Sequence, residues 1–203
     1  KSIEELEYSQ ALESDKEAMD WLESNGRKFG QFIGGEFLFQ KNADQIKVTN
    51  PADSSILAAI EVADDKTVDL AVTAAAKSQK LWHTAGGHAR ARVLYALARL
   101  IQKHARVISV LETLDNGKPI RESRDSDIPL AIRHFYYHAG WAQLQESELA
   151  GQKPVGVVAQ IIPWNFPFLM LAWKIAPAIA MGNSIVLKPA ESTPLTAMFF
   201  AQL

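Results

Sequence analysis

Two short stretches in the last quarter of the chain carry residue types suited to chemistry: Pro163-Trp164-Asn165-Phe166-Pro167 and Lys188-Pro189-Ala190-Glu191. A side-chain amide such as Asn165 can donate to an oxygen that gathers negative charge, as in an oxyanion hole, and flanking prolines would hold that donor rigidly. A turn also selects asparagine for its tolerance of unusual backbone angles, which is the plainer reading of the same residue. Lys188 and Glu191 could clasp the hydroxyls of a ribose. A carboxylate there accepts from the 2′-hydroxyl and repels a 2′-phosphate, which favours NAD over NADP. A strand end emerging into solvent accounts for the same two charges. His134 and His138 stand four apart, a spacing that can hold a metal. No glutamate occupies the zincin position between them and no third ligand is evident, so no metal site is expected. Glu112-Thr113-Leu114-Asp115-Asn116-Gly117-Lys118-Pro119 is conspicuously polar, yet a helix C-terminus with a glycine stop explains it.

The elements that must position these residues follow from the pattern around them. Residues 155–162 form a continuous apolar, β-branched run, read as a strand buried on both faces. The apolar segment 168–181 is long enough for a helix that Gly182 ends, and 184–187 is a second short buried strand. Strand, helix, strand is a βαβ unit, with parallel strands and a right-handed crossover. Ligands in open parallel sheets bind beyond the carboxyl ends of the strands, where Asn165, Lys188 and Glu191 stand. Thr193-Pro194 reads as an N-cap and first residue of a further helix. No Gly-x-Gly-x-x-Gly occurs, so the usual dinucleotide fingerprint is missing.

Upstream, Asp15 opens a short helix stopped by Asn25-Gly26, and Gly34-Gly35 turns a hairpin over residues 32–38. Residues 45–48 and 56–62 flank the turn Asn50-Pro51-Ala52-Asp53 and read as strands. Asp64 is the N-cap of a helix to about Leu81, with Val68, Ala71, Val72, Ala75 and Ala76 on its apolar face. Further helices are expected over 89–103, from Val107 to Asn116, and over 126–144.

At 203 residues and 48% hydrophobic content the chain can bury a core, and its net charge of −2 offers nothing for nucleic acid or a membrane surface. Residues 1–25 hold eight acidic side chains against Lys1 and Lys16, not the basic-then-apolar pattern of a signal peptide. A soluble cytoplasmic protein is expected. There is no cysteine, hence no disulfide, no thiolate metal site and no thiol nucleophile.

The run Gln160-Ile161-Ile162-Pro163-Trp164-Asn165-Phe166-Pro167, the later Gly182-Asn183 with Leu187-Lys188-Pro189-Ala190-Glu191, and Glu112 through Pro119 closely resemble the aldehyde dehydrogenase superfamily. The motifs lie in register over residues 32–203. The resemblance implies an α/β fold: a Rossmann-like parallel-sheet NAD-binding domain, incomplete at its C-terminus, that lacks the glycine fingerprint. Residues 1–30 would be an acidic helical extension and 31–203 the N-terminal part of that domain. The implied activity is NAD-dependent oxidation of aldehydes to carboxylic acids through a cysteine thiohemiacetal. By position, Asn165 matches the oxyanion-hole amide, and Lys174 a residue assisting proton movement at the inner end of the aldehyde tunnel. Ile161, Ile162, Pro163 and Trp164 would line the cofactor cleft. Lys188 and Glu191 would meet the adenosine ribose, Pro189 would belong to the same cofactor site, and Phe166, Met170 and Trp173 would face the aldehyde tunnel.

Residues 143–153 are too few for the two crossing strands of the family's usual oligomerisation hairpin. This short connector and the acidic head are most similar to the family-16 type, so a homodimer without that hairpin is expected. The family's cysteine and general-base glutamate lie outside these residues, and the chain by itself is expected to be inactive. Two other readings are a non-catalytic scaffold that keeps the fold as a binding module, and a reductase relative acting on acyl phosphates or thioesters.

Overall fold

The computed structural model describes residues 14–203. Helix α1 (Lys16–Ser24) begins after Asp15, as expected, and ends at Asn25. Its Ala18 and Leu22 enter the main core, and Trp21 stacks on Phe29 and meets the edge of Phe199. The acidic residues Glu4, Glu5, Glu7 and Glu13 of the expected N-terminal extension lie outside the described residues.

Five strands follow. β1 (Lys28–Phe29) has too little pattern to be visible in the sequence and pairs parallel with β5 (Ile56–Glu61). β2 (Gln31–Ile33) and β3 (Glu36–Leu38) form the expected glycine hairpin. β4 (Gln45–Thr49) pairs antiparallel with β5 across the Asn50-Pro51 turn.

Helix α2 (Asp65–Thr84) is capped as anticipated, with Asp64 Oδ1 accepting from Thr67 N at 2.8 Å. Its expected apolar face is not buried. Only Ala75 is, while Val68 and Val72 remain exposed, because the hydrogen bonds that tie this face to the βαβ unit come from its C-terminal part. There Gln79 Nε2 donates to Gly182 O, and Trp82 Nε1 donates to Ile179 O.

The core is helical. α3 (Gly87–Lys103) lies along α6 (Ile128–Glu148), and small residues on both, Ala91 and Ala98 against Ala131, Ala139 and Ala142, let the backbones come close. α4 (Ala105–Asn116) is buried over most of its surface and ends on Gly117, whose φ of +84° is the left-handed stop that glycine supplies. A short helix α5 (Ile120–Glu122) and a π-helical turn (Ser123–Asp127) lead into α6, which runs one turn beyond the expected end near Leu144. No strand lies between Glu148 and Val157. No described helix is long and apolar enough to cross a membrane.

The βαβ unit is present. β6 (Val157–Ile161), α7 (Pro167–Ala180) and β7 (Ser184–Lys188) follow one another, and the strands pair parallel from Val157↔Ser184 to Ile161↔Lys188. α8 (Leu195–Gln202) closes the described chain. One expectation fails here. β6 starts only at Val157, with Val155 88% and Ile161 66% exposed, so the strand is not buried on both faces. The β6–β7 sheet has just two strands among the described residues, which leaves much of its surface uncovered.

Candidate active site

The register Ile161↔Lys188 ends both parallel strands at the same level. Ile162 N donates to Lys188 O at 3.2 Å and holds the two exits together. The loop Pro163-Trp164-Asn165-Phe166 and the loop Pro189-Ala190-Glu191 therefore lie side by side at the carboxyl edge, each leading into a helix. Asn165 is exposed there, and no described residue hydrogen-bonds its side chain. Glu191 Oε1 accepts from Lys188 Nζ at 2.8 Å, and the same ammonium donates to Pro189 O at 2.8 Å. The hydrogen bond from Lys188 is the main reason the Glu191 carboxyl is held below its ordinary value, so it stands as a carboxylate. Ile161 and Trp164 present exposed apolar surface beside this pair, while Ile162 is buried.

Phe166, just before α7, and Met170 and Trp173 on it form a partly exposed stripe, with Trp173 edge-on to His134 at 5.6 Å between ring centroids. Lys174 is turned about one residue round the helix from this stripe. Its Nζ donates to Ile161 O, and its own carbonyl accepts from Gln160 Nε2 at 2.8 Å, so it braces α7 against the end of β6. The structure thus brings Asn165, Ile161, Pro163, Trp164, Lys188, Pro189 and Glu191 to one edge. It puts the aromatic stripe on the adjoining helix and Lys174 between strand and helix. Among the described residues no three potential metal ligands come together.

What holds this edge was missed in the sequence. A glycine-stopped helix end would leave Glu112 and Asp115 in solvent, but they are 0% and 3% exposed. Glu112 Oε1 accepts from Phe168 N at 3.3 Å, at the start of α7, and Glu112 Oε2 accepts from Thr196 Oγ1 at 3.0 Å in α8. Asp115 Oδ2 accepts from Leu195 N at 2.8 Å. Two carboxyl groups from α4 therefore serve the N-termini of both helices that leave the site, accepting from N–H groups that have no partner within their own helix. This corrects the expected Thr193-Pro194 cap. The Thr193 hydroxyl points instead to Trp164 O at 3.5 Å, and α8 begins at Leu195 under Asp115.

Burial, the largest influence, pushes the Glu112 carboxyl up to about 7 and Asp115 well above the carboxylate range. Further along, Asn116 Nδ2 donates to Trp164 O at 2.6 Å. Lys118 pairs with the buried Asp127 at 2.5 Å and lies 4.2 Å from the centre of the Phe166 ring. At the far end of α7, the buried Arg90 donates to Ala180 O and His83 O, both at 2.9 Å. The signal for Glu112 and Asp115 was available: they share a helical stripe with Ile108 on an otherwise apolar helix.

Comparison with known proteins agrees with this geometry. The aldehyde dehydrogenase family profile matches residues 38–203. The chain is 39% identical over 186 residues to a long-chain-aldehyde dehydrogenase of Acinetobacter, covering 87% of this chain and 37% of that protein. It is 38% identical over 186 residues to aldehyde dehydrogenase B of Escherichia coli, covering 87% of this chain and 36% of that protein. An NAD+ complex of aldehyde dehydrogenase from Bacillus cereus superposes with a TM-score of 0.83 at 36% identity, over 95% of this chain and 40% of that one. The chain thus spans little more than a third of these relatives' length. With its parallel βαβ unit, its paired strand exits and this match over most of its residues, the chain belongs to the aldehyde dehydrogenase family.

Proposed function

We propose that these residues form the N-terminal, NAD-binding part of an NAD-dependent aldehyde dehydrogenase that oxidises aldehydes to carboxylic acids. The observation that carries the reading is the shared level of the two strand exits, which sets the Asn165 loop beside the Lys188–Glu191 pair. The donor set fits a dinucleotide. Glu191 is an ionised acceptor for ribose hydroxyls, Lys188 holds it in place, and exposed Ile161, Pro163 and Trp164 offer apolar surface beside it. NAD supplies the hydride acceptor. The thiol must come from outside these 203 residues, which contain no cysteine. Its attack on the aldehyde carbon places negative charge on the carbonyl oxygen, and the Asn165 amide donates to that oxygen. Loss of hydride then leaves a thioester, and water releases the acid and regenerates the thiol. Phe166, Met170 and Trp173 line the aldehyde's approach, and Lys174 assists proton movement from its place beside β6.

We read the complete protein as a cytoplasmic homodimer without a strand hairpin between α6 and β6. A second reading, favoured by the short α6–β6 connector that resembles the family-16 type, is a non-catalytic scaffold of the same fold. The test is Asn165→Ala in the complete polypeptide. It should lower kcat by about 100-fold or more, the usual cost of one oxyanion donor, with little change in NAD affinity. An unchanged kcat with chemistry rate-limiting would remove the oxyanion role, and no turnover by either protein would favour the scaffold.

A further inference from the structure

Asn165 is exposed and its side chain has no hydrogen-bonding partner among the described residues, so its aim depends on its backbone. A peptide unit is planar. Fixing the carbonyl oxygen of Trp164 therefore fixes the plane that contains Asn165 N and Cα, leaving φ of Asn165 as the next free rotation. Two described side chains reach that oxygen. Thr193 Oγ1 stands at 3.5 Å, the outer limit of a hydrogen bond, whereas Asn116 Nδ2 donates at 2.6 Å. The following residues are pinned from the same short segment, with Lys118 over the Phe166 ring and Glu112 accepting from Phe168 N. Pro167 restricts Phe166 in addition. Asn116 is itself well placed for the task, because it is the last residue of α4 and Gly117 ends that helix.

We infer that Asn116 is a positioning residue for the Asn165 amide, acting through the Trp164 carbonyl rather than by touching the reacting atoms. This rests on the oxyanion reading of Asn165. It adds a second asparagine, 49 positions upstream, on which the donor's orientation depends.

A double-mutant cycle in the complete protein tests it, read as the first-turnover rate of NADH formation with saturating NAD and aldehyde. Asn116→Ala should slow that turnover about three- to tenfold, the rate equivalent of one net hydrogen bond, with NAD affinity unchanged. In an Asn165→Ala background the same substitution should have no further effect, because the amide it orients is gone. Asn116→Asp, which keeps the shape and loses the donor, should slow turnover at least as much as alanine, and melting temperatures verify that each variant folds. Equal slowing by Asn116→Ala in both backgrounds would make Asn116 a general structural brace and overturn the inference. So would a normal rate for Asn116→Ala alone. If Asn165→Ala itself turns over normally, the oxyanion reading falls first and takes this inference with it.

Discussion

Glu112→Gln is the most informative single change, because it keeps the shape of a fully buried side chain and removes its ability to ionise. In the folded chain burial raises this carboxyl from 4.5 to about 7, opposed by the Phe168 N–H, the Lys118 charge and the Thr196 hydroxyl, with Asp127 adding a further rise. An acid whose folded pKa lies above its unfolded value binds its proton more tightly in the folded state. Its contribution to stability is complete below about pH 4.5 and is lost as the pH climbs through about 7. At 1.36 kcal/mol per pH unit, that loss amounts to about 3 kcal/mol. Glutamine has no proton to lose, and its oxygen can still accept from Phe168 N while its amide donates to Thr196. Relative to wild type, the variant should therefore gain about 3 kcal/mol between pH 4.5 and pH 8, or roughly 6–12 °C in Tm for a domain of this size. Asp115, raised chiefly by its own burial, titrates in both proteins and largely cancels in the comparison. Thermal or urea melts of both proteins across this range measure the difference directly. Parallel stability–pH curves would refute the reasoning, since they would mean that Glu112 takes up no proton on folding.

Two further outcomes are expected. A Cβ at Gly87 would lie 2.1 Å from Ala142 O, a backbone atom that cannot yield, whereas one at Gly140 meets nothing within 4 Å. Gly87→Ala should therefore destabilise by about 1–3 kcal/mol or more as α3 is forced from α6, while Gly140→Ala should stabilise by up to about 1 kcal/mol, both read from melts. Calorimetric titration of the complete protein should show tighter binding of NAD than of NADP, because the Glu191 carboxylate repels a 2′-phosphate; tighter NADP binding would remove Glu191 from the ribose.

Local signals in the sequence anticipated most elements. The glycine hairpin, the Asp64 cap, the Gly117 stop and the strand–helix–strand unit each rest on a few neighbouring residues, and each is present. The two site loops were legible for the same reason, since both lie within one βαβ unit. What could not be read depends on partners far along the chain. The burial of Glu112 and Asp115 requires helices that begin more than fifty residues later, and the Asn116–Trp164 bond joins a helix end to a loop with which it shares no local pattern. The exposure of Val68 and Val72 is a converse case: a regular apolar face does not reveal whether anything in the described chain covers it.

The brace at the end of α4 also dictates an order of assembly. Its hydrogen bonds to Trp164, Phe168, Leu195 and Thr196 span separations of 48, 56, 80 and 84 residues. Emerging from the ribosome, α4 carries two hydrated carboxylates that have no partners until the last third of the chain is made. The site edge is then formed by long-range closure, which is entropically slow, rather than by zipping from a neighbouring turn. Docking of the βαβ unit must strip water from both acids in the same event, so near neutral pH the closing step is accompanied by proton uptake from solvent.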